Sequence, residues 1–146
     1  VDAIISSPLA RCANYAQHFS AEHNKSLLID ELWKECHFGD WDGRTYQSLH
    51  ELFPKEVSAF FSDPMTNPPP NGEHLESFCR RVESALEHLL EIYSGKKVVV
   101  LTHAGVIRTL VAWCLKMDYA AGLQFRRFAV DYASITKISI YKEGIH

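Results

Sequence analysis

The chain has 146 residues, 47% of them hydrophobic and 23% charged, with a formal net charge of −3. That length suffices for one domain with a real core, and the composition is ordinary for a globular protein. The negative balance argues against a general nucleic-acid-binding surface but leaves room for a local cationic pocket, and no apolar run approaches the roughly 20 residues needed to span a bilayer.

Asp2 to Ser6 reads as a short strand. Ser7-Pro8 reads as a helix start, with Ser at the N-cap and Pro at the first helical position. The helix is expected from about Leu9 to His23, with Leu9, Cys12, Ala13, Ala16 and Phe19 on one face. Leu27-Leu28-Ile29 is a second short strand. Residues 31 to 44 form an irregular segment rich in Trp, Gly and acidic groups. Tyr46 to Phe53 reads as helix ending before Pro54, and Pro54 starts another through Phe61. The stretch from Asp63 to Gly72 carries Pro64, Pro68, Pro69 and Pro70 and is expected as a stiff extended loop, a lid or connector inside one domain.

A long amphipathic helix is expected over about His74 to Tyr93, with Leu75, Phe78, Cys79, Val82, Leu86, Leu89 and Leu90 as its apolar stripe. Gly95 sits where a helix C-terminal glycine belongs. Val98 to Leu101 then reads as a strand buried on both faces. It stops at Thr102-His103-Ala104-Gly105, after which Val106, Ile107, Leu110, Val111 and Leu115 are spaced for a helix. Phe125 to Val130 and Ser134 to Tyr141 alternate well enough to be two more strands. Strands alternating with helices predict an α/β class, with a mostly parallel sheet between helical layers.

Cys12, Cys36, Cys79 and Cys114 form no CxxC pair and are expected as buried free thiols in a reducing compartment, the cytoplasm. The eight histidines make no HxxxH or HExxH pair, so spacing gives no metal site. No stretch of these residues reads as a secretory signal.

His103 stands at a strand's carboxyl end where a helix begins, the place where open α/β sheets bind ligands and where a helix N-terminus favours anions. A neutral core histidine bonded to a carbonyl is an equal reading. Arg11 falls in the first turn of a helix after a strand, and its fork suits a phosphate. Taken alone, a surface arginine paired with a nearby acid is the preferred reading, since helix starts more often favour acids than bases. Glu35 lies among aromatics in Leu32-Trp33-Lys34-Glu35-Cys36-His37-Phe38-Gly39-Asp40-Trp41-Asp42-Gly43 and is a candidate proton donor; composition alone prefers a packed loop whose acids face water. Gly72-Glu73 reads as a helix start with an acid in its first turn, and position alone argues no function for it. Phe60, Phe61, Trp33, Trp41 and Trp113 do not alternate with basic residues, so they read as core or pocket wall and not as a base-stacking platform.

Taken in order, four segments resemble the histidine phosphatase superfamily, the phosphoglycerate-mutase-like fold. They are Ser6-Ser7-Pro8-Leu9-Ala10-Arg11, Glu35 with Phe38-Gly39-Asp40-Trp41-Asp42-Gly43, Pro69-Pro70-Asn71-Gly72-Glu73, and Thr102-His103-Ala104-Gly105-Val106-Ile107-Arg108. Each motif is weak or moderate alone; together they cover nearly the whole chain. Within the superfamily, the FGDW-acid-G segment and the proline loop ending in NGE look most like α-ribazole phosphatases, which remove phosphate from α-ribazole 5′-phosphate late in cobalamin assembly.

The resemblance implies roles. Arg11 would bind the transferring phosphoryl group, His103 would donate to its oxygens, and the Ala104 backbone N–H would point into the same site. Glu35 would give a proton to the leaving alcohol and then activate water. Fixed cationic donors stabilise the phosphoryl charge in that chemistry, with no metal and no cofactor. The implied partner is a small phosphorylated substrate, with neither nucleic acid nor membrane. A sugar-phosphate phosphatase, a mutase or a non-catalytic phosphate-binding module on the same fold are the rival readings, and the short segment from Phe38 to Gly43 argues mildly against a mutase.

Two features depart from the family pattern. His74 stands where Ser often follows Gly-Glu, which is expected to affect substrate contacts or capping more than chemistry. The family's nucleophile is a histidine in an Arg-His-Gly motif at the end of its first strand, and this sequence has no Arg-His-Gly. His18, His23, His37, His50, His74, His88 and His146 all have other neighbours. The expectation is therefore a single, N-terminally incomplete domain over residues 1–146, starting at the family's second strand. As it stands such a chain would form no phosphohistidine. The absent strand would leave unpaired backbone and an apolar groove beside the strand ending at His103, and a homo-oligomer is one way to fill it.

Overall fold

Two isoleucines between small residues favour a pleated, buried segment, and Ala3–Ser6 forms strand β1 with all four residues buried. The computed structural model describes residues 1–118 and 122–141. Helix α1 (Ala10–His23) leads to β2 (Leu27–Ile29), which runs parallel to β1 with Ile4 opposite Leu27 and Ser6 opposite Ile29. Strand β3 (Val98–Leu101) lies parallel on the other side of β1, Ala3 opposite Val98 and Ser6 opposite Leu101. The order β2-β1-β3 makes β1 central, in an α/β fold with a parallel sheet. All four residues of β3 are half-buried, against the expectation of burial on both faces. The reason is position: among the described residues β3 pairs along one edge only.

Helix α1 starts later than the Ser7-Pro8 signal implies. The Ser7 N–H bonds the Leu101 carbonyl at 2.9 Å, prolonging the β1–β3 ladder, so Ser7 cannot turn into the helix. Leu9 takes the N-cap position without a side-chain cap, and Ser7 Oγ accepts the Leu9 N–H at 3.3 Å. Cys12 and Ala16 are the buried residues of α1. The helix stops at Asn24, whose φ of 48° lets its N–H and that of Lys25 close on Ala21 and Ser20.

Two short 3-10 turns, Glu31–Trp33 and Gly39–Trp41, and helices α2 (Tyr46–Leu52) and α3 (Pro54–Ser62) follow. The proline loop docks on the second turn. The Asp40 N–H donates to Pro70 O at 2.9 Å, and a Cβ on Gly39 would collide with that same carbonyl, which with φ of +57° restricts the position to glycine.

Helix α4 (Leu75–Ile92) buries Leu75, Phe78, Cys79, Val82, Ala85 and Leu86 as its periodicity requires, with Leu89 and Leu90 half-buried. His74 is its N-cap and makes no side-chain cap. Helix α5 (Ala104–Cys114) buries Gly105, Val106, Thr109, Leu110 and Ala112, while Leu115, expected on the same stripe, is exposed beyond its end. The core joins Ile5 of the sheet to Trp33, Cys36, the α4 stripe, Val106 and Leu110. Cys12, Cys36 and Cys79 are buried free thiols as expected, but Cys114 is exposed, since it falls in the last turn of α5.

The two C-terminal strands are not formed. Leu123–Arg127 is a short helix, α6. Its buried Gln124 points Nε2 at Cys79 Sγ, 3.9 Å away, and Phe125 packs on Phe78 with ring centroids 6.1 Å apart. These contacts hold the segment on α4 in helical form. Residues 128–141 contain no strand, although Ile138 touches the core. Alternation by itself makes no strand without a ladder partner, and residues 134–141 pair with no strand among the described residues. Of the seven histidines set aside above, His146 lies outside the described residues.

Candidate active site

Parallel pairing of β1 with β3 brings the residues that follow each strand side by side. Ser7 and His103 meet there, with His103 Nε2 2.7 Å from Ser7 Oγ. Arg11, in the first turn of α1, donates from Nε to His103 Nδ1 at 3.1 Å. A ring nitrogen that accepts from a guanidinium carries no proton, so in the neutral ring the hydrogen sits on Nε2 and is given to Ser7. His103 is 6% exposed. Burial, and then the positive charges of Arg11 and Arg81, push its pKa down to about 4, and the imidazole is neutral at pH 7. Cys12 lies against the same ring, Sγ 3.7 Å from Nε2 and 3.8 Å from Nδ1, and donates to the Thr102 carbonyl at 3.4 Å. Burial raises the Cys12 thiol.

Glu35 reaches this corner from the segment between the two 3-10 turns. Its Oε2 accepts the Gly105 N–H at 3.1 Å and its Oε1 accepts the Cys36 N–H at 3.1 Å. The carboxylate thus sits on the N-terminal end of α5, the helix whose N-cap is His103. Gly105 makes this approach feasible, because a Cβ there would overlap Glu35 Oε1 and lie 3.3 Å from the Phe78 ring. The Thr102 hydroxyl donates to Trp33 O at 2.8 Å and ties the Glu35 segment to the end of β3.

Of the residues singled out in the sequence, Arg11 and His103 are in direct contact. Glu35 contacts the backbone of Gly105, next to Ala104, the first residue of α5. Arg11 is exposed, and among the described residues only its Nε is bonded. Its terminal nitrogens are therefore available to an anion.

Three contributors were not legible. Ser7 reads as a cap and serves as the partner of His103, which its position one residue past β1 could have suggested. Cys12 reads as helix packing. Arg81 gave no signal among the charges of α4, yet it bonds Glu73 with two nitrogens at 2.8 and 3.0 Å. A cavity of about 500 Å³ opens beside Glu35, lined also by Lys34, His37, Asn71, Glu73 and Arg81. No group of three metal-ligating side chains gathers among the described residues, and no described helix is long and apolar enough to cross a membrane.

Comparison with known proteins shows the family of the chain. The model of the histidine phosphatase superfamily (branch 1) matches residues 1–146. The chain is 29% identical over 125 residues to the adenosylcobalamin/alpha-ribazole phosphatase of Escherichia coli, covering 86% of this chain and 62% of that protein. It superposes on the alpha-ribazole phosphatase of Shigella flexneri with a TM-score of 0.75 at 26% identity, covering 86% and 61% of the two chains. It superposes on a mycobacterial glucosyl-3-phosphoglycerate phosphatase with a TM-score of 0.70 at 27% identity, covering 84% and 62%. The chain spans less than two thirds of the length of the curated relatives it matches first, down to 38% for some mycobacterial ones.

Proposed function

Because the chain belongs to the histidine phosphatase superfamily, we propose that it serves the hydrolysis of a phosphomonoester, with α-ribazole 5′-phosphate as the lead substrate. The observation that carries this reading is one corner of the sheet: an exposed arginine on a buried neutral histidine, with a carboxylate on the adjoining helix start. The free nitrogens of Arg11 bind the phosphoryl oxygens. His103, which now gives its Nε2 hydrogen to Ser7, turns that donor to the same group, and the Ala104 N–H adds a third. In the first step a histidine nitrogen attacks phosphorus while the P–O bond to the alcohol breaks, and Glu35 gives its proton to the departing oxygen. In the second, water attacks phosphorus while the P–N bond to the histidine breaks, Glu35 takes the proton from the water, and inorganic phosphate leaves.

The nucleophile is the part these 146 residues do not supply. None of their histidines has Arg-His-Gly neighbours, so in this reading residues 1–146 hold the phosphate and the acid and by themselves form no phosphohistidine. That feature also favours a second reading, a module that binds a phosphorylated ligand without turnover. The likeness to a glucosyl-3-phosphoglycerate phosphatase favours a third, a sugar-phosphate substrate.

Hydrolysis assays with both substrates and calorimetry with inorganic phosphate, on one sample of the protein as its own gene encodes it, decide among them. Turnover of α-ribazole 5′-phosphate that His103→Ala abolishes supports the first reading, and binding without turnover supports the second. Absence of both overturns the site. Phosphate found by intact mass on any histidine of residues 1–146 overturns the statement about the nucleophile.

A further inference from the structure

We infer that the Glu73–Arg81 ion pair is the device that positions Glu35, an inference that rests on reading Glu35 as the proton donor. Arg81 Nε and Nη2 donate to the two oxygens of Glu73 at 3.0 and 2.8 Å, a bidentate pair with both side chains about one-fifth exposed. The remaining donors of the guanidinium go to the backbone of the Glu35 segment. Nη1 donates to Leu32 O at 2.8 Å and to Lys34 O at 3.0 Å, and Nη2 lies 3.5 Å from Glu35 O. Glu73 holds the other end of the segment. Its Oε2 accepts the His37 N–H at 3.3 Å, and its own N–H donates to His37 O at 2.7 Å.

The pair therefore grips the chain on both sides of Glu35, from Leu32 to His37. That segment has no strand or α-helix ladder between its two 3-10 turns to fix it. The guanidinium also lies over the Phe78 ring at 5.0 Å, and Phe78 borders Gly105. One side of the ring thus bears the clamp, while the glycine that receives the Glu35 carboxylate lies against it. A pair of surface charges would be worth little. A half-buried fork that also saturates backbone carbonyls fixes geometry, and a carboxylate misplaced by about 1 Å loses much of its value in proton transfer.

The test reads the Gly105 amide in the 15N-labelled chain, because that N–H reports the Glu35 contact without requiring turnover. In Glu73→Gln and in Arg81→Lys the Gly105 amide is expected to move and to exchange about tenfold faster, the loss of roughly one hydrogen bond to a charged group. The Ile4 and Ile5 amides should stay in place and inorganic phosphate affinity should change less than about twofold, given intact Arg11 and His103. A merely structural role would shift the strand amides as well, and that result overturns the inference, as does an unmoved Gly105. Glu73→Gln keeps the shape of the side chain and carries the test alone should Arg81→Lys fail to fold. Glu35→Ala, which removes the acceptor, separates the two ideas. If it leaves Gly105 unmoved, the placement of Glu35 in the proposed site falls. If it moves Gly105 while the other variants do not, the clamp alone falls.

Discussion

Strand β1 is wholly buried, yet the helix it feeds presents Arg11 exposed to solvent; strand β3 is half-buried, yet it ends on His103, which is 6% exposed. The two junctions are otherwise alike: parallel neighbours in register, each running into a helix after a short turn. The difference lies in what covers them. The Glu35 segment and Phe78 close over the start of α5, through the contacts of Glu35 and Thr102. Among the described residues nothing comparable closes over Arg11, whose single bonded partner there is His103, although its neighbour Cys12 is buried against the same ring. Burial of a strand thus does not set the burial of the residue at its end. The pairing of a permanent cation with a neutral ring follows from this asymmetry, since the covered junction disfavours charge and the open one tolerates it.

If so, changes at the covered junction cost stability and changes at the open one cost mainly binding. The largest effect is expected from pH. The folded-state pKa of His103, about 4, lies below its ordinary value of 6.5. The unfolded chain therefore binds the proton more tightly. The contribution to stability is complete above pH 6.5 and is lost as pH falls from there toward 4, by at most about 3 kcal/mol. Urea unfolding at pH 7 and pH 4.5 should show a steeper loss for the wild type than for His103→Gln. Parallel curves would remove the burial argument.

A smaller loss, about 2 kcal/mol, is expected for Gly105→Ala. The new Cβ overlaps Glu35 Oε1, so that the carboxylate must leave the Gly105 N–H to make room, and lies 3.3 Å from the buried Phe78 ring. Thermal unfolding measures it, and an unchanged Tm would mean that the cover over α5 is loose. Smallest in stability is Arg11→Met, about 1 kcal/mol or less, because one hydrogen bond to an exposed side chain is lost. The same variant should weaken inorganic phosphate binding at least about tenfold by calorimetry, the worth of one charge-assisted contact. It should also raise the His103 pKa, since the Arg11 charge is one of its depressing causes. A variant that loses stability and keeps phosphate affinity would invert the comparison.

Much of this arrangement was legible in the sequence. Strands at Asp2–Ser6, Leu27–Ile29 and Val98–Leu101 and helices before Gly95 and after His103 follow from local periodicity, caps and breakers. The four motifs that place Arg11, Glu35 and His103 are also local. Failures came where an outcome depended on a distant partner. Ser7 gave up its capping role to the Leu101 carbonyl, and Phe125 was claimed by Phe78 for a helix. Ser134–Tyr141 alternates as a strand should, with nothing beside it to pair with among the described residues. Arg81 sits among the charges of α4 and resembles any of them until the fold brings Leu32, Lys34 and Glu73 around it.

The sequence by itself determined which residue types stand at the ends of the strands: a permanent cation after β1, a titratable ring after β3 and a glycine two residues beyond that ring. Only the tertiary structure decided their states. The His103 ring is neutral because other segments desolvate it and a cation faces it, Glu35 meets the helix start because Gly105 leaves room, and β3 is an edge because a single strand pairs with it among the described residues. Propensity is a property of neighbouring residues along the chain, whereas protonation, close approach and strand pairing depend on groups brought together from far apart in it.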